Sequence, residues 1–377
     1  MKVALLGHGT VGSGVEKILN GMKDTDIDIC SILVRNIRPD MDERYTDDVE
    51  KIFGNKPECI IECLGGDEPA YSYVKRALES GIDVISANKK MLSRHMDLFD
   101  TAKSNNTKLL FEASCGGGIP WLINIRRIKR NDEIVSIKGI INGTCNYLLS
   151  RLFNEDISFA DALKNAQELG YAEADPSDDI CGYDSRYKLT LSIYEAFDKI
   201  MDYSSIPCFG IDNITDKDIQ YAKDNNMVIK LIASADLKGN NISAFVMPYF
   251  IRKDDIFAAV SSNNNILMSD SKYLGKAYFA GQGAGSLPTG HAIVQDLLDL
   301  KNNEMCLNES EADKIDNDIS RLGVFYIRHQ DIAVFKDYIA EKISDDSFIS
   351  RRCSFKEIAD IIDNNHDEKM FIGEINR

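Results

Sequence analysis

The chain has 377 residues, 44% hydrophobic and 28% charged, with 60 acidic against 44 basic side chains and a net charge of −16. That length suffices for two or three domains around a large core. The negative balance repels a polyphosphate backbone, which excludes nucleic acid as a partner and leaves room only for a local basic patch that takes one small anion.

The sequence opens at once on an apolar strand, Lys2–Leu6, with no secretory leader, and no apolar run approaches the length of a membrane span. A Gly-rich turn and an amphipathic helix to about Leu19 follow. Strands are expected at Ile27–Val34 and Cys59–Cys63, then a helix over Pro69–Ser80 with proline in its first turn and Gly81 ending it. Ile82–Ile85 reads as a strand, Leu92–Ser104 as a helix and Lys108–Glu112 as a strand. Strands alternating with helices at this spacing predict a mostly parallel, doubly wound sheet over residues 1–130.

Beyond residue 130 the pattern changes. Ile134–Ile141 reads as a strand. Asn146–Phe153, Phe159–Leu169 (ended by Gly170) and Ser185–Phe197 read as helices. Val228–Ala235, Ser243–Val246 and Asn264–Ser269 read as strands of another sheet. Residues 131–300 are therefore expected to form an α+β domain, with about 276–298 packing back on the first. The tail, 310–377, is expected as a small α/β extension, either a regulatory module or a C-terminal elaboration: strands at Phe325–Arg328 and Met370–Glu374, helices at Val334–Ile343 and Phe355–Ile362. Nine cysteines without a CxxC pair argue against a disulfide framework or a structural zinc site, and for reduced thiols in a cytoplasmic protein.

Gly7-His8-Gly9-Thr10-Val11-Gly12 is a G-x-G-x-x-G between a strand and a helix, the context that makes the string informative. Gly7 permits the tight turn, Gly9 lets the backbone approach a pyrophosphate, and Gly12 lets the helix pack on the sheet. The N–H groups of Thr10, Val11 and Gly12 open a helix whose dipole favours the anion. The second strand ends Val34-Arg35-Asn36 rather than in an acid, so Arg35, with Arg38, is expected to meet the 2′-phosphate of NADP; NAD stays open.

Several stretches then combine: Cys63-Leu64-Gly65-Gly66 with Ala87-Asn88-Lys89-Lys90; Glu112 through Pro120 with Asn142-Gly143-Thr144-Cys145-Asn146-Tyr147; Leu169 through Pro176, continuing through Asp178-Asp179 to Gly182-Tyr183-Asp184 and Lys188; and Gly281-Gln282-Gly283-Ala284-Gly285. In this order over residues 1–300 they resemble the homoserine dehydrogenase family. The resemblance implies a Rossmann dinucleotide-binding domain, a substrate and dimerisation domain, reversible NAD(P)-dependent conversion of L-aspartate 4-semialdehyde to L-homoserine, and a homodimer. It implies Lys188 as acid–base residue, and Lys89 near the nicotinamide and the reacting oxygen. Glu173, Asp179 and Asp184 would bind the substrate, and Gly65 and Gly283 the cofactor. It also implies sodium held by backbone carbonyls of Glu112, Cys115, Gly117 and Ile119, since hard cations take oxygen ligands.

The residues bear on this independently. Asp184 and Lys188 lie four apart on a predicted helix and share one side. An exposed pair is the ordinary explanation of that spacing, but here it follows a loop offering Glu173, Asp175 and Asp179, enough carboxylates to hold an ammonium. Reducing an aldehyde needs a hydride at carbon and a proton at the developing alkoxide, which a lysine can supply. Two other readings stand beside this one. Aspartate-semialdehyde dehydrogenase chemistry would use Cys115 as nucleophile, but needs an activating base, and none of His8, His95, His291, His329 and His366 falls in a suitable stretch. A non-catalytic NADP-binding sensor would have no use for Lys188.

Overall fold

The computed structural model describes residues 1–23, 26–155, 157–304 and 312–376. Two compact units emerge: Met1–Asn131 with Gly281–Glu311, and Asp132–Ala280 with Ala312–Arg377.

In the first unit six strands form a parallel sheet. Their order is Tyr45–Thr46, Asp28–Leu33, Lys2–Leu6, Cys59–Glu62, Asp83–Ser86, Leu109–Leu110. Three of the four inner strands, Lys2–Leu6, Cys59–Glu62 and Asp83–Ser86, are short apolar runs because helices cover a parallel sheet on both faces. Chain order reverses between Lys2–Leu6 and Cys59–Glu62, the switch point at which such sheets bind ligands. Val3, Leu5, Ile32, Ile61 and Ile85 make the core together with Val15 and with Ile293 and Leu297 of the helix Ser286–Asn302. Each such side chain contributes roughly 1.5–3 kcal/mol by leaving water. A Cβ on Gly14 would lie 2.2 Å from the Ser286 carbonyl oxygen, so the helices Thr10–Gly21 and Ser286–Asn302 meet backbone to backbone. The segment that returns to this unit starts at Gly281; residues 275–282 are a strand of the other sheet.

The second unit holds a nine-stranded sheet in the order Gly275–Gln282, Asn264–Ser271, Ile134–Ile140, Met227–Lys238, Asn241–Arg252, Phe371–Ile375, Phe325–Arg328, Ser347–Ser350, Ile339–Lys342. The tail is thus not a separate module. Phe371–Ile375 pairs in parallel with Asn241–Arg252, with Tyr249 opposite Glu374 and Phe250 opposite Ile375. One core runs through both parts: Phe245, Tyr249 and Ile251 with Phe325, Ile327, Phe348 and Phe355.

Two expected helices differ. Leu92–Ser104 is two helices, Lys89–Arg94 and Asp97–Ser104, broken at His95. The His95 ring is held elsewhere, pairing with Asp67 at 2.8 Å and stacking on Tyr71 at 3.9 Å. Val334–Ile343 is a short 3-10 turn, Ile332–Phe335, followed by an edge strand, Ile339–Lys342; pairing with Ser347–Ser350 overrides helix propensity there. Among the described residues no helix is long and apolar enough to cross a membrane, and the described cysteines are free thiols.

Candidate active site

The loop between Lys2–Leu6 and the helix Thr10–Gly21 has the shape a dinucleotide needs. Gly7 sits at φ +98°, and a Cβ there would lie 2.9 Å from the Cys63 carbonyl oxygen. A Cβ on Gly12 would lie 2.2 Å from the Gly7 carbonyl oxygen, whereas one on Gly9 would meet nothing within 4 Å. The first and third glycines are thus forced by packing, and the second faces open space. Gly9 caps the helix without a side chain, and the first turn, with exposed Thr10 and half-buried Val11, carries no acid. A pyrophosphate fits these donors. Arg35 is exposed just past the strand Asp28–Leu33. Arg44 is committed to Glu16 at 2.9 Å and Asp42 at 2.7 Å.

On the same unit, Gly65 lies in an exposed loop and Lys89 is the half-buried first residue of the helix Lys89–Arg94. Sequence reasoning passed over the residues joining them. Glu62, fully buried at the end of Cys59–Glu62, accepts from Ser86 Oγ at 2.5 Å, Leu64 N at 2.7 Å and Asn88 Nδ2 at 3.4 Å. Asn88 Nδ2 also donates to Gly66 O at 2.8 Å, and Asn88 Oδ1 accepts from Met91 N at 3.1 Å, capping the helix. The only signal for Asn88 was its place before Lys89.

The Glu112–Ile119 stretch turns through Gly116 and Gly117, at φ +80° and +59°. The Glu112 carboxylate is occupied, accepting from Leu122 N at 3.0 Å and Ile123 N at 2.7 Å; burial and nearby Asp296 push it up to about 8. Its carbonyl accepts from Cys115 N and that of Ile119 from Trp121 N, each keeping a second lone pair. Among the described residues no group of three or more His, Cys, Asp or Glu is placed to hold a metal; carbonyl oxygens are donors of the kind that suits a hard cation. Gly283 is buried, its carbonyl oxygen 2.4 Å from where a Gly117 Cβ would stand. Cys115 is buried, with Ser114 Oγ 3.7 Å from its sulfur.

In the second unit the helix Tyr183–Phe197 carries Asp184 and Lys188, both buried, with Lys188 Nζ 2.6 Å from Asp184 Oδ2 and 2.7 Å from the Ile141 carbonyl oxygen. The expected i,i+4 pair is therefore an internal one. Asn142 Nδ2 donates to Asp184 Oδ2 at 2.8 Å and to Asp179 Oδ1 at 2.6 Å, while its Oδ1 caps the helix Gly143–Asn154 through Cys145 N at 2.7 Å. Burial, then the charge of Asp184, raises the Asp179 carboxyl above its ordinary value, against the Asn142 hydrogen bond. Asn142, like Glu62 and Asn88, is a residue that sequence reasoning missed. Glu173 is exposed, with its backbone carbonyl accepting from Gln167 Nε2 at 3.0 Å.

Comparison with known proteins agrees. The model for homoserine dehydrogenase matches residues 120–298, and that for the homoserine dehydrogenase NAD binding domain matches residues 7–112. Homoserine dehydrogenase of Bacillus subtilis (strain 168) is 33% identical over 317 residues, covering 80% of this chain and 73% of its own. That of Synechocystis sp. (strain PCC 6803) is 35% identical over 319 residues, covering 80% and 73%. Among solved structures, a homoserine dehydrogenase from Thiobacillus denitrificans has a TM-score of 0.87 at 26% identity, covering 100% of this chain and 98% of that one. S. aureus homoserine dehydrogenase at pH 7.5 has 0.77 at 29%, again covering 100% and 98%. The sensor and thiol-nucleophile readings fall on these matches, which span both the dinucleotide loop and the segment around Lys188. The chain belongs to the homoserine dehydrogenase family, whose members are oxidoreductases with a nicotinamide-nucleotide-binding domain.

Proposed function

We propose that Lys188 is the acid–base group with which this enzyme interconverts L-aspartate 4-semialdehyde and L-homoserine. The observation that carries this reading is a buried ammonium held by one carboxylate and one carbonyl, Asp184 Oδ2 and Ile141 O. When bound, the nicotinamide supplies the hydride to the aldehyde carbon or takes it back from the alcohol. Lys188 gives the proton to the developing alkoxide during reduction and takes it during oxidation. Asp184 and Asn142 hold that amine in place. Asp179, its ionisation opposed by burial and by Asp184, gains from an arriving cation, which suits it to the substrate's ammonium; Glu173 adds a second carboxylate from the loop. Lys89 stands near the reacting oxygen.

The cofactor reading is NADP, through Arg35, with the pyrophosphate on the Gly7–Gly12 loop; NAD is the second choice. Carbonyls of Glu112, Cys115, Gly117 and Ile119 would hold sodium, which would order this turn electrostatically. A homodimer working in the cytoplasm belongs to the same reading, supported by family membership and by cysteines that follow no pairing pattern.

Substituting Lys188→Ala tests the central claim. Cofactor reduction by L-homoserine, followed at the reduced-nicotinamide band, is expected to lose a factor of about 10²–10⁴ in kcat, with cofactor Kd unchanged. Wild-type kcat, or a loss confined to cofactor binding, would sink the role.

A further inference from the structure

We propose that Glu62 is a positioning residue for this reaction, fixing through Asn88 both the backbone that carries Lys89 and the Leu64–Gly66 loop. The inference rests on the reading of Lys89 above. Glu62 ends a central strand, opposite Leu6 on one side and Ser86 on the other. It therefore stands at the carboxyl edge of the sheet beside the glycine loop, where doubly wound sheets bind ligands.

Burying a carboxylate costs stability, and a leucine there would fill the same core. This one is surrounded by donors instead: Ser86 Oγ and Leu64 N at full hydrogen-bond strength and Asn88 Nδ2 at longer range. Burial pushes its carboxyl up to about 7 against the pull of those three hydrogen bonds. The network then leaves the core. Asn88 N donates to Ser86 Oγ at 3.1 Å, and Asn88 Nδ2 donates to Gly66 O at 2.8 Å and Leu64 O at 3.3 Å. Lys89 is the next residue, with its own N–H on Ala87 O at 3.2 Å. One buried carboxyl group thus sets two segments in register. A side chain with two acceptor oxygens satisfies the arrangement as it stands, whereas glutamine keeps the volume but presents a donor to either Ser86 or Leu64. If the amide nitrogen faces Ser86, the serine oxygen must take a second N–H beside that of Asn88, and its own hydroxyl proton loses the carboxylate that accepts it.

The test is a double-mutant cycle of Glu62→Gln and Asn88→Ser, with Lys89→Ala alongside, read as kcat, cofactor KM and thermal melting. Serine at position 88 still caps a helix but is too short to hold Gly66. Both single variants are expected to lose about ten- to a hundredfold in kcat, with melting temperatures within about 5 °C of wild type. The double variant should be no slower than the worse single one. Losses that multiply, or wild-type kcat in Glu62→Gln while Lys89→Ala is impaired, overturn the role of Glu62 alone. Wild-type kcat in Lys89→Ala overturns both this inference and the reading it rests on. Should Glu62→Gln fail to fold, Asn88→Ser decides: lost kcat, with or without a raised cofactor KM from the released Leu64–Gly66 loop, upholds the proposal, and wild-type kcat overturns it.

Discussion

On the proposed reading, cofactor choice comes down to one arginine. The exposed Arg35 follows the strand Asp28–Leu33, while Glu16 and Asp42 hold Arg44, and Arg38 lies 3.5 Å from Asp40. A charge-assisted hydrogen bond to a phosphate contributes roughly 1.5–3 kcal/mol. Arg35→Asp is therefore expected to lower the ratio of kcat/KM for NADP over NAD by about tenfold or more, measured with L-homoserine and each cofactor in turn; an unchanged ratio would place the selection elsewhere. At this scale the sequence was legible wherever chemistry follows local spacing. The glycine loop and the i,i+4 pair of Asp184 and Lys188 could be read off directly. Asn142 could not, because its bond to Asp184 spans 42 positions and depends on how the helix Gly143–Asn154 meets Tyr183–Phe197. Glu62 was hidden for a similar reason, as a carboxylate ending an apolar run whose donors sit on other elements.

Elements show the same division. The parallel sheet follows from alternating periodicity, which is local, whereas the break at His95 and the edge strand Ile339–Lys342 are set by partners far along the chain. The strand Met227–Lys238 carries a further tertiary feature. Lys230 is buried, with Nζ on Asn146 Oδ1 at 2.8 Å and Val260 O at 2.6 Å, and burial pulls its amine down to about 8. Below that pH the native state bears the full cost of a buried cation. Between about 8 and the ordinary lysine value the unfolded chain holds the extra proton, so this group makes stability rise with pH. From pH 8 to 10 the rise from Lys230 alone is about 2 kcal/mol. Urea denaturation of wild type and Lys230→Met at the two pH values should show that difference in slope; parallel behaviour would mean that the amine titrates near its ordinary value.

Taken as a whole, the second unit is one structure made from two distant stretches of chain, and buried charge rather than sequence proximity joins them. Arg328, on a tail strand, sends Nε to Asp218 Oδ1 at 3.0 Å, NH1 to Lys369 O at 2.9 Å and NH2 to Asn213 O at 2.5 Å; Tyr326 OH reaches Asp218 at 2.9 Å. Asp218 is fully buried on the helix Asp216–Asp224, where it also closes a capping box with Thr215. Arg321 adds a second tie, to Glu374 and to Tyr249 Oη at 2.9 Å. Neither network follows from periodicity, which is why the tail reads as an appendage in sequence and is the far side of a shared sheet in space. Removing one partner of such a pair leaves an uncompensated buried charge, at a cost of about 3–5 kcal/mol. Asp218→Asn is therefore expected to lower stability toward urea by that order and to speed amide exchange in Phe325–Arg328 and Phe371–Ile375 together, because both strands lose their shared anchor. Faster exchange confined to the helix Asp216–Asp224 would show that the capping box, not the tie to Arg328, is what Asp218 supplies.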